Sequence, residues 1–120
     1  MITVFISGRI SGMSDGNHFA EAAKRLHAIG CRTVNPFGLI KIYGGVDDST
    51  ESATAANHSF WMRKSLALMM DCDAIYFTEG WEKSKGAIIE HDLAERINME
   101  IITDESIRQI QEAAAQKNKN

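Results

Sequence analysis

Apolar residues follow two different spacings that alternate along the chain. Residues 2–6 form a near-continuous β-rich run, which is typical of a strand covered on both faces. After a glycine- and serine-rich loop over 7–15, apolar residues recur at helical spacing from Asn17 to Ile29, and Gly30 is a favourable stop. The segment CRTVNP then predicts a short second strand that ends before Pro36.

The second half of the chain repeats this alternation. Residues 37–57 are irregular and polar, and we expect a loop or lid there. The pattern next predicts a helix over about 57–71, whose one face carries Trp61, Ser65, Leu68, Met69 and Cys72. A strand over 73–79, the loop GWEKS, a helix over about 85–97, the strand MEIIT and a final helix over about 104–115 follow. The chain end, about 112–120, is expected to fray.

Strands that alternate with helices predict an α/β fold, a three-layer Rossmann-like or flavodoxin-like arrangement with a mostly parallel sheet of four to five strands. A length of 120 residues fits one domain over 1–120. In such sheets ligands bind outside the carboxyl ends of the strands. Two loops fall there, ISGRISG after the first strand and GWEKSKG after the strand at 73–79, and we expect them to meet over one pocket.

Composition and charge exclude several classes of function. The chain is 44% hydrophobic and 24% charged with a net charge of -3, so it lacks the basic footprint for a nucleic-acid polymer or an anionic membrane. The start MITVFIS has no signal-peptide pattern, and Cys31 and Cys72 fit two reduced thiols. These features predict a cytoplasmic protein. No pair of histidines has metal-ligand spacing with a third ligand, so no metal is expected.

The turn after the first strand offers groups that commonly contact phosphate. Gly8 and Gly12 permit close approach of a ligand, Ser7 and Ser11 supply hydroxyls, and Arg9 supplies a cation. The turn matches neither the dinucleotide fingerprint nor a P-loop. A plain turn with an arginine facing solvent is the equally weighted alternative.

The second loop opens a helix that carries a carboxylate among apolar residues. Ser84 is a candidate N-cap, and Gly86 leaves amides of the first turn uncovered for an anion. At about 100° per residue, Glu90 shares a face with apolar positions, namely Gly86, Ile89, Leu93, Ala94 and Ile97. A buried carboxylate requires a partner or a function. In the alternative interpretation, Glu90 lies at the rim and pairs with Arg9, Arg63 or a lysine.

Other conspicuous residues have two interpretations each. Trp81 could stack a nucleobase or pack over its own loop. Asp71 and Asp73 could act as acids, although a helix end and a strand-start cap explain them more simply. His91 is expected to point away from the face of Glu90, toward the surface or an interface.

The strand followed by ISGRISG, the NPFG segment, the helix ending in MDCDAIYF and above all GWEKSKGAIIEHDLAE resemble the nucleoside 2-deoxyribosyltransferase-like superfamily. That superfamily includes 2′-deoxynucleoside 5′-monophosphate N-glycosidases. The best match is to a small branch common in phages and bacteria. The resemblance covers about residues 2–102.

The resemblance implies a role for each matching residue. Glu90 would be the nucleophile that attacks C1′ of the sugar, Ser84 and Gly86 would hold the 5′-phosphate, and the first turn would contact sugar and phosphate through Gly8, Arg9, Ile10 and Gly12. It also implies no cofactor, a nucleotide or nucleoside substrate, and a homodimer or higher homo-oligomer.

One position departs from the family pattern. Many relatives carry an aspartate on the helix before the third strand, where this chain has Ser65. The departing base needs a proton, and Asp73, Asp71 or Glu79 could supply it in place of that aspartate. The resemblance therefore implies an N-glycosidase or deoxyribosyltransferase with Glu90 and Asp73 as catalytic groups. A non-catalytic module that binds a nucleotide or nucleotide signal is the alternative, and an interaction protein with no ligand is the third.

Overall fold

A computed structural model describes residues 2–8, 17–36 and 51–117, with the side chains of 17, 51–58 and 117 excepted. The described part is an α/β structure, as the pattern predicts. Its strands are β1 (Thr3–Ser7), β2 (Arg32–Val34), β3 (Ala74–Phe77) and β4 (Glu100–Ile102). Its helices are α1 (Asn17–Ala28), α2 (Glu51–Met70), α3 (Lys85–Arg96) and α4 (Asp104–Lys117), with a 3₁₀ helix at Trp81–Lys83 before α3.

The four strands form one parallel sheet in the order β2-β1-β3-β4. The register aligns Val4 with Ala74 and Ser7 with Phe77, so β1 and β3 end together at the carboxyl edge. The chain winds outward from β1 in one direction to β2 and in the other to β3 and β4. This order has its topological switch point between β1 and β3, which is where ligands bind in doubly wound sheets.

Helices cover both faces of the sheet and create the three layers. On one face, Val4, Ile6, Ala74 and Tyr76 join the core residues of α1 and α4, namely Phe19, Ala22, Leu26 and Ile107. On the opposite face, Phe5 and Ile75 pack with Met69 of α2 and Ala94 of α3. Because side chains two positions apart in a strand point to the same face, Ser7 points with Phe5 toward α2 and α3.

Two helix boundaries differ from the sequence prediction. Helix α2 begins at Glu51, so residues 51–56, which we expected in the loop or lid, are helical. Helix α4 continues to Lys117, about two residues beyond the predicted end near 115, and the fraying of the chain end stays a prediction. Both segments, ESATAA at 51–56 and EAAAQK at 112–117, lack large apolar residues but are half alanine, whose helix propensity favours the helical turns that the structure shows. The predicted stop of α1 is confirmed, because Gly30 adopts a left-handed φ of 88°.

The buried face of α3 is narrower than the predicted apolar stripe. Ala87, Glu90 and Ala94 are buried, whereas Ile89 and Ile97 are 41% and 48% exposed. Ile89 lies about 100° around the helix from Glu90, and Ile97 follows Arg96, the last residue of the helix, so both side chains fall outside the contact. The predicted burial of Glu90 is thus confirmed, whereas the predicted burial of Ile89 and Ile97 on the same face is wrong.

None of the described helices combines the length and the apolar character that crossing a bilayer requires.

Candidate active site

Glu90 lies at the centre of a hydrogen-bonded group that joins three elements. The Ser7 hydroxyl at the end of β1 donates to Glu90 Oε1 over 2.6 Å, and the Ser65 hydroxyl of α2 donates to Glu90 Oε2 over 2.5 Å. Ser7, Ser65 and Glu90 are 0%, 8% and 4% exposed, respectively. We call these three residues the Ser–Glu–Ser cluster. Each carboxylate oxygen therefore has a hydroxyl partner and keeps further acceptor capacity.

Local sequence explains how these side chains meet. Ser7 alternates with Phe5 toward α2 and α3, and Ser65 lies one helical turn before the buried Met69. Glu90 occupies the buried row of α3 between Ala87 and Ala94. Each of the three elements thus contributes one polar residue from an otherwise apolar buried face.

The electrostatics of Glu90 are set by burial and by its two hydroxyl partners. Loss of solvent raises the pKa of Glu90, and the hydrogen bonds from Ser65 and Ser7 partly oppose this by favouring the ionised form. The alternative of a rim carboxylate paired with a cation is wrong for the described residues. Arg63, one of the suggested partners, instead donates from Nε to the carbonyl oxygen of Ser59.

Ser84 caps α3, as the sequence predicts. Its hydroxyl accepts a hydrogen bond from the Ala87 amide over 3.2 Å, and the 3₁₀ helix leads into it after Gly80, which has a φ of 81°. A Cβ on Gly86 would lie 3.4 Å from Met62 Sδ. This is an ordinary van der Waals distance to the end of a flexible side chain, so packing against α2 does not by itself require glycine at position 86.

Gly8 and Thr78 meet at the switch point of the sheet. The Thr78 amide donates to the Ser7 carbonyl oxygen over 2.9 Å, which extends the pairing of β1 and β3 by one residue. A Cβ on Gly8 would lie 2.0 Å from Thr78 Oγ1. The close approach of these two residues requires glycine at position 8.

Trp81 packs against the residue that follows Glu90. Its ring stacks on the His91 imidazole with centroids 4.4 Å apart and an interplanar angle of 16°, and Phe77 tilts against both rings. His91 Nδ1 also contacts Glu95 Oε1 at 2.9 Å. His91 leaves the face of Glu90, as predicted, and its side chain is 28% exposed where it packs over the loop with Trp81. Packing is thus shown for Trp81, and stacking on a nucleobase stays a prediction.

A groove of about 690 Å³ runs along the carboxyl ends of β3 and β4. Its walls include the stacked Trp81 and His91 on one side and Tyr76 with Asp104 on the other, with Thr78 between them. Tyr76 donates its hydroxyl hydrogen to Asp104 Oδ1 and accepts from Arg25 Nη2, both over 2.6 Å. This hydrogen bonding ties α1, β3 and α4 together at the groove.

Asp73 lies away from the Ser–Glu–Ser cluster. Its Oδ2 accepts from the Thr3 amide over 2.8 Å, at the amino end of β1 and β3, whereas Ser7 ends β1 at the opposite edge. The structure therefore gives Asp73 the strand-start capping role and does not bring it to Glu90. Arg9, Ile10 and Gly12 lie outside the described residues.

Within the described ranges, no three His, Cys, Asp or Glu side chains are grouped as a metal ion would need.

Residues 2–103 match the model of a protein family described as a domain of unknown function, DUF4406. The chain belongs to the DUF4406 family. A search of curated proteins finds no match. The family description names no activity, so the resemblance of this DUF4406 domain to the nucleoside 2-deoxyribosyltransferase-like superfamily stays a prediction.

Sequence reasoning missed two residues of the site. Ser65 was considered for the aspartate it replaces, although a polar residue on the apolar face of α2 is itself a signal that a buried polar partner lies opposite. Thr78 directly follows β3 as Gly8 follows β1, and the alignment of these strand ends could have indicated it.

Proposed function

We propose that this protein cleaves, or transfers at, the N-glycosidic bond of a nucleoside or deoxynucleoside 5′-monophosphate, with Glu90 as the nucleophile. The observation that carries the proposal is the Ser–Glu–Ser cluster, a buried carboxylate with both oxygens oriented by hydroxyls at the carboxyl edge of the sheet. Among the described residues no cation pairs with this carboxylate, and a carboxylate buried in this way is costly for stability. Catalysis gives a reason for that cost.

The chemistry follows from the charge that develops on the sugar. As the C1′–N bond breaks, its electron pair leaves with the base and C1′ becomes positive, which a desolvated carboxylate stabilises. One Glu90 oxygen then bonds to C1′ and forms a glycosyl ester. Water or a second base attacks C1′ and releases Glu90 as a carboxylate. The hydroxyls of Ser7 and Ser65 favour the ionised form that this attack needs.

The two loops serve the phosphate and sugar in this proposal. Ser84 and Gly86 begin α3, where backbone amides and the helix dipole favour an anion. Ser7 and Gly8 end β1 at the switch point, and Arg9, Ile10 and Gly12 of the following turn are assigned to sugar and phosphate by the resemblance. Trp81 borders the groove, where a base could stack on its ring.

The departing base requires a proton that Asp73 is not placed to give. A group on the base side of the sugar, or solvent in the open groove, has to supply it. Of the three acids that the sequence suggested, Asp71, Asp73 and Glu79, it is Glu79 that lines the groove, where it is exposed.

The test is release of free base from a panel of nucleoside and deoxynucleoside monophosphates, with base exchange assayed by adding a second, free base. Wild type should release or exchange the base, and Glu90→Gln should lose this activity while it remains folded. Glu21→Gln, which removes an exposed carboxylate on α1, is the matched control and should retain it. Folded wild type without release or exchange, or Glu90→Gln as active as wild type, would contradict the proposal.

The second candidate is a non-catalytic module that binds a nucleotide or nucleotide-derived signal. Ser65 favours it, because this residue gives Glu90 a hydroxyl where an aspartate would have supplied a second carboxyl. Tight nucleotide binding without base release, and unchanged in Glu90→Gln, would support this candidate over the first.

Location and assembly belong to the proposal as well. We propose a cytoplasmic homodimer or larger homo-oligomer, of a kind found in phages and bacteria, with a small-molecule substrate. Sedimentation of the purified protein with and without deoxynucleoside monophosphates tests the assembly.

A further inference from the structure

Thr78 is the one described residue whose buried side-chain oxygen has no hydrogen-bond partner. The side chain is 3% exposed, and no group in the described part of the chain accepts from or donates to Oγ1. A buried hydroxyl left unpaired costs about 1–3 kcal/mol. Valine has the same shape without that cost, so the structure alone gives no reason for a hydroxyl at this position.

The surroundings of Thr78 place the unpaired hydroxyl at the switch point. Its amide bonds to the Ser7 carbonyl oxygen, and its Oγ1 faces Gly8, where even a methyl group would clash at 2.0 Å. Thr78 also borders the groove along the carboxyl ends of β3 and β4. The hydroxyl is therefore held between the end of β1 and an open groove.

Thr78 and the Ser–Glu–Ser cluster meet the same strand end from two sides. Ser7 directs its side chain to Glu90, and the next residue, Gly8, faces Thr78. Alternation along a strand places consecutive positions on opposite faces of the sheet. A ligand seated across the ends of β1 and β3 would reach both groups.

We propose that Thr78 is a substrate-binding residue whose hydroxyl bonds to an oxygen of the sugar phosphate seated across the ends of β1 and β3. This inference rests on the proposed function only in that a nucleotide occupies this edge. It does not require that the N-glycosidic bond be broken. A hydroxyl can donate to a phosphate or ring oxygen and can also accept from a sugar hydroxyl.

The experiment compares Thr78→Val with the conservative variant Thr78→Ser, both in the Glu90→Gln background so that binding is measured without turnover. Calorimetric titrations use dAMP, deoxyadenosine and inorganic phosphate as ligands, and thermal unfolding without ligand reports on stability. Thr78→Val should melt at or above the parent temperature and bind dAMP about tenfold more weakly, the effect of one lost hydrogen bond. Thr78→Ser should restore most of the affinity.

The three ligands locate the contact. Weaker binding of inorganic phosphate to Thr78→Val assigns the hydroxyl to the phosphate, and weaker binding of deoxyadenosine assigns it to the sugar; either supports the inference. Thr78→Val that binds dAMP as tightly as its parent overturns it. Thr78→Val that unfolds, or melts lower without ligand, also overturns it, because the hydroxyl would then have a structural role.

Failure of this inference and failure of the proposed function have different signatures. Nucleotide binding that depends on Thr78, together with no base release by wild type, leaves Thr78 as a binding residue and removes the enzymatic proposal. If wild type releases base but Thr78→Val does not change the affinity for dAMP, the enzymatic proposal is supported and the inference on Thr78 is overturned. If wild type and the Glu90→Gln parent bind none of the three ligands, the inference on Thr78 is overturned.

Discussion

Glu90 and Ser65, 25 positions apart in the sequence, are joined by a hydrogen bond of 2.5 Å between two buried side chains. The bond crosses from α2 to α3 and, with the bond from Ser7, fixes the orientation of the carboxylate. The residue that departs from the expected family pattern is thus a direct partner of the proposed nucleophile. Ser65 acts here as a positioning residue.

Restoring the expected aspartate should impair the fold at neutral pH. Ser65→Asp would place two carboxyl groups within hydrogen-bond distance, and such a pair resists double ionisation, so its upper pKa rises. We expect a loss of about 1–3 kcal/mol in the free energy of unfolding at pH 7, recovered as the pH falls and the pair takes up a proton. Urea unfolding of Ser65→Asp and Ser65→Asn at several pH values measures this. An equal pH dependence in both variants would contradict it.

Glu90 should make the protein less stable as the pH rises. Its folded-state pKa lies above the ordinary value of 4.5 because the group is buried, so the folded state holds the proton more tightly than the unfolded state. The free energy of unfolding contributed by Glu90 therefore falls as the pH rises from 4.5 through the folded-state pKa. Relative to wild type, Glu90→Gln should gain stability across this window. Denaturant unfolding tests this, and Glu21→Gln, which removes an exposed carboxylate, should show no such trend.

Ser84 separates helix capping from anion binding. Aspartate caps helices as well as serine, so Ser84→Asp should keep the stability of α3, whereas Ser84→Ala should lose about 1 kcal/mol. The negative charge of Ser84→Asp should nevertheless abolish binding of nucleoside monophosphates if a phosphate lies at this helix end. Unfolding and titration with dAMP measure the two effects. If Ser84→Asp binds dAMP as tightly as wild type, the phosphate does not bind at this helix end.

Gly8 and Thr78 should be energetically coupled. Gly8→Ala brings a Cβ to 2.0 Å from Thr78 Oγ1, so one of the two residues has to move. We expect a loss of about 1–3 kcal/mol in the free energy of unfolding, as for other overpacked sites. In a Thr78→Ala background the clashing oxygen is absent and most of this loss should disappear. A double-mutant cycle by urea unfolding gives the coupling, and additive losses would contradict the contact.

Tyr76 should be a late-titrating tyrosine that supports the groove. Burial, and next its hydrogen bond to Asp104, raise the pKa of Tyr76 to about 12. Because the unfolded chain loses this proton near the ordinary value of 10, stability should fall as the pH rises from 10 toward 12. Tyr76→Phe should lose about 1 kcal/mol at pH 7 and lack the late step in an alkaline absorbance titration. An unchanged titration curve would be incompatible with this environment for Tyr76.

The sequence by itself determined the order and type of the elements, because each depends on neighbours within a few positions. Apolar spacing specified the strands and helices, Gly30 and Ser84 specified a stop and a start, and the isolated polar position Glu90 marked a buried group. Errors remained where local signals were weak. The sequence prediction starts α2 about six residues late, ends α4 about two residues early, and places Ile89 and Ile97 on a buried face although the structure exposes them.

Only the tertiary structure decided which polar groups meet. Ser7 and Glu90 are 83 positions apart. Their hydrogen bond requires that Ser7 point to the α3 face of the sheet, that α3 pack close to that face, and that β3 pair with β1 in the observed register. No periodicity along the chain contains that information, because side-chain contacts across layers arise from packing. Packing also determines that Asp73 lies at the amino edge of the sheet and that Ser65 contacts Glu90. It leaves the buried hydroxyl of Thr78 without a partner among the described residues.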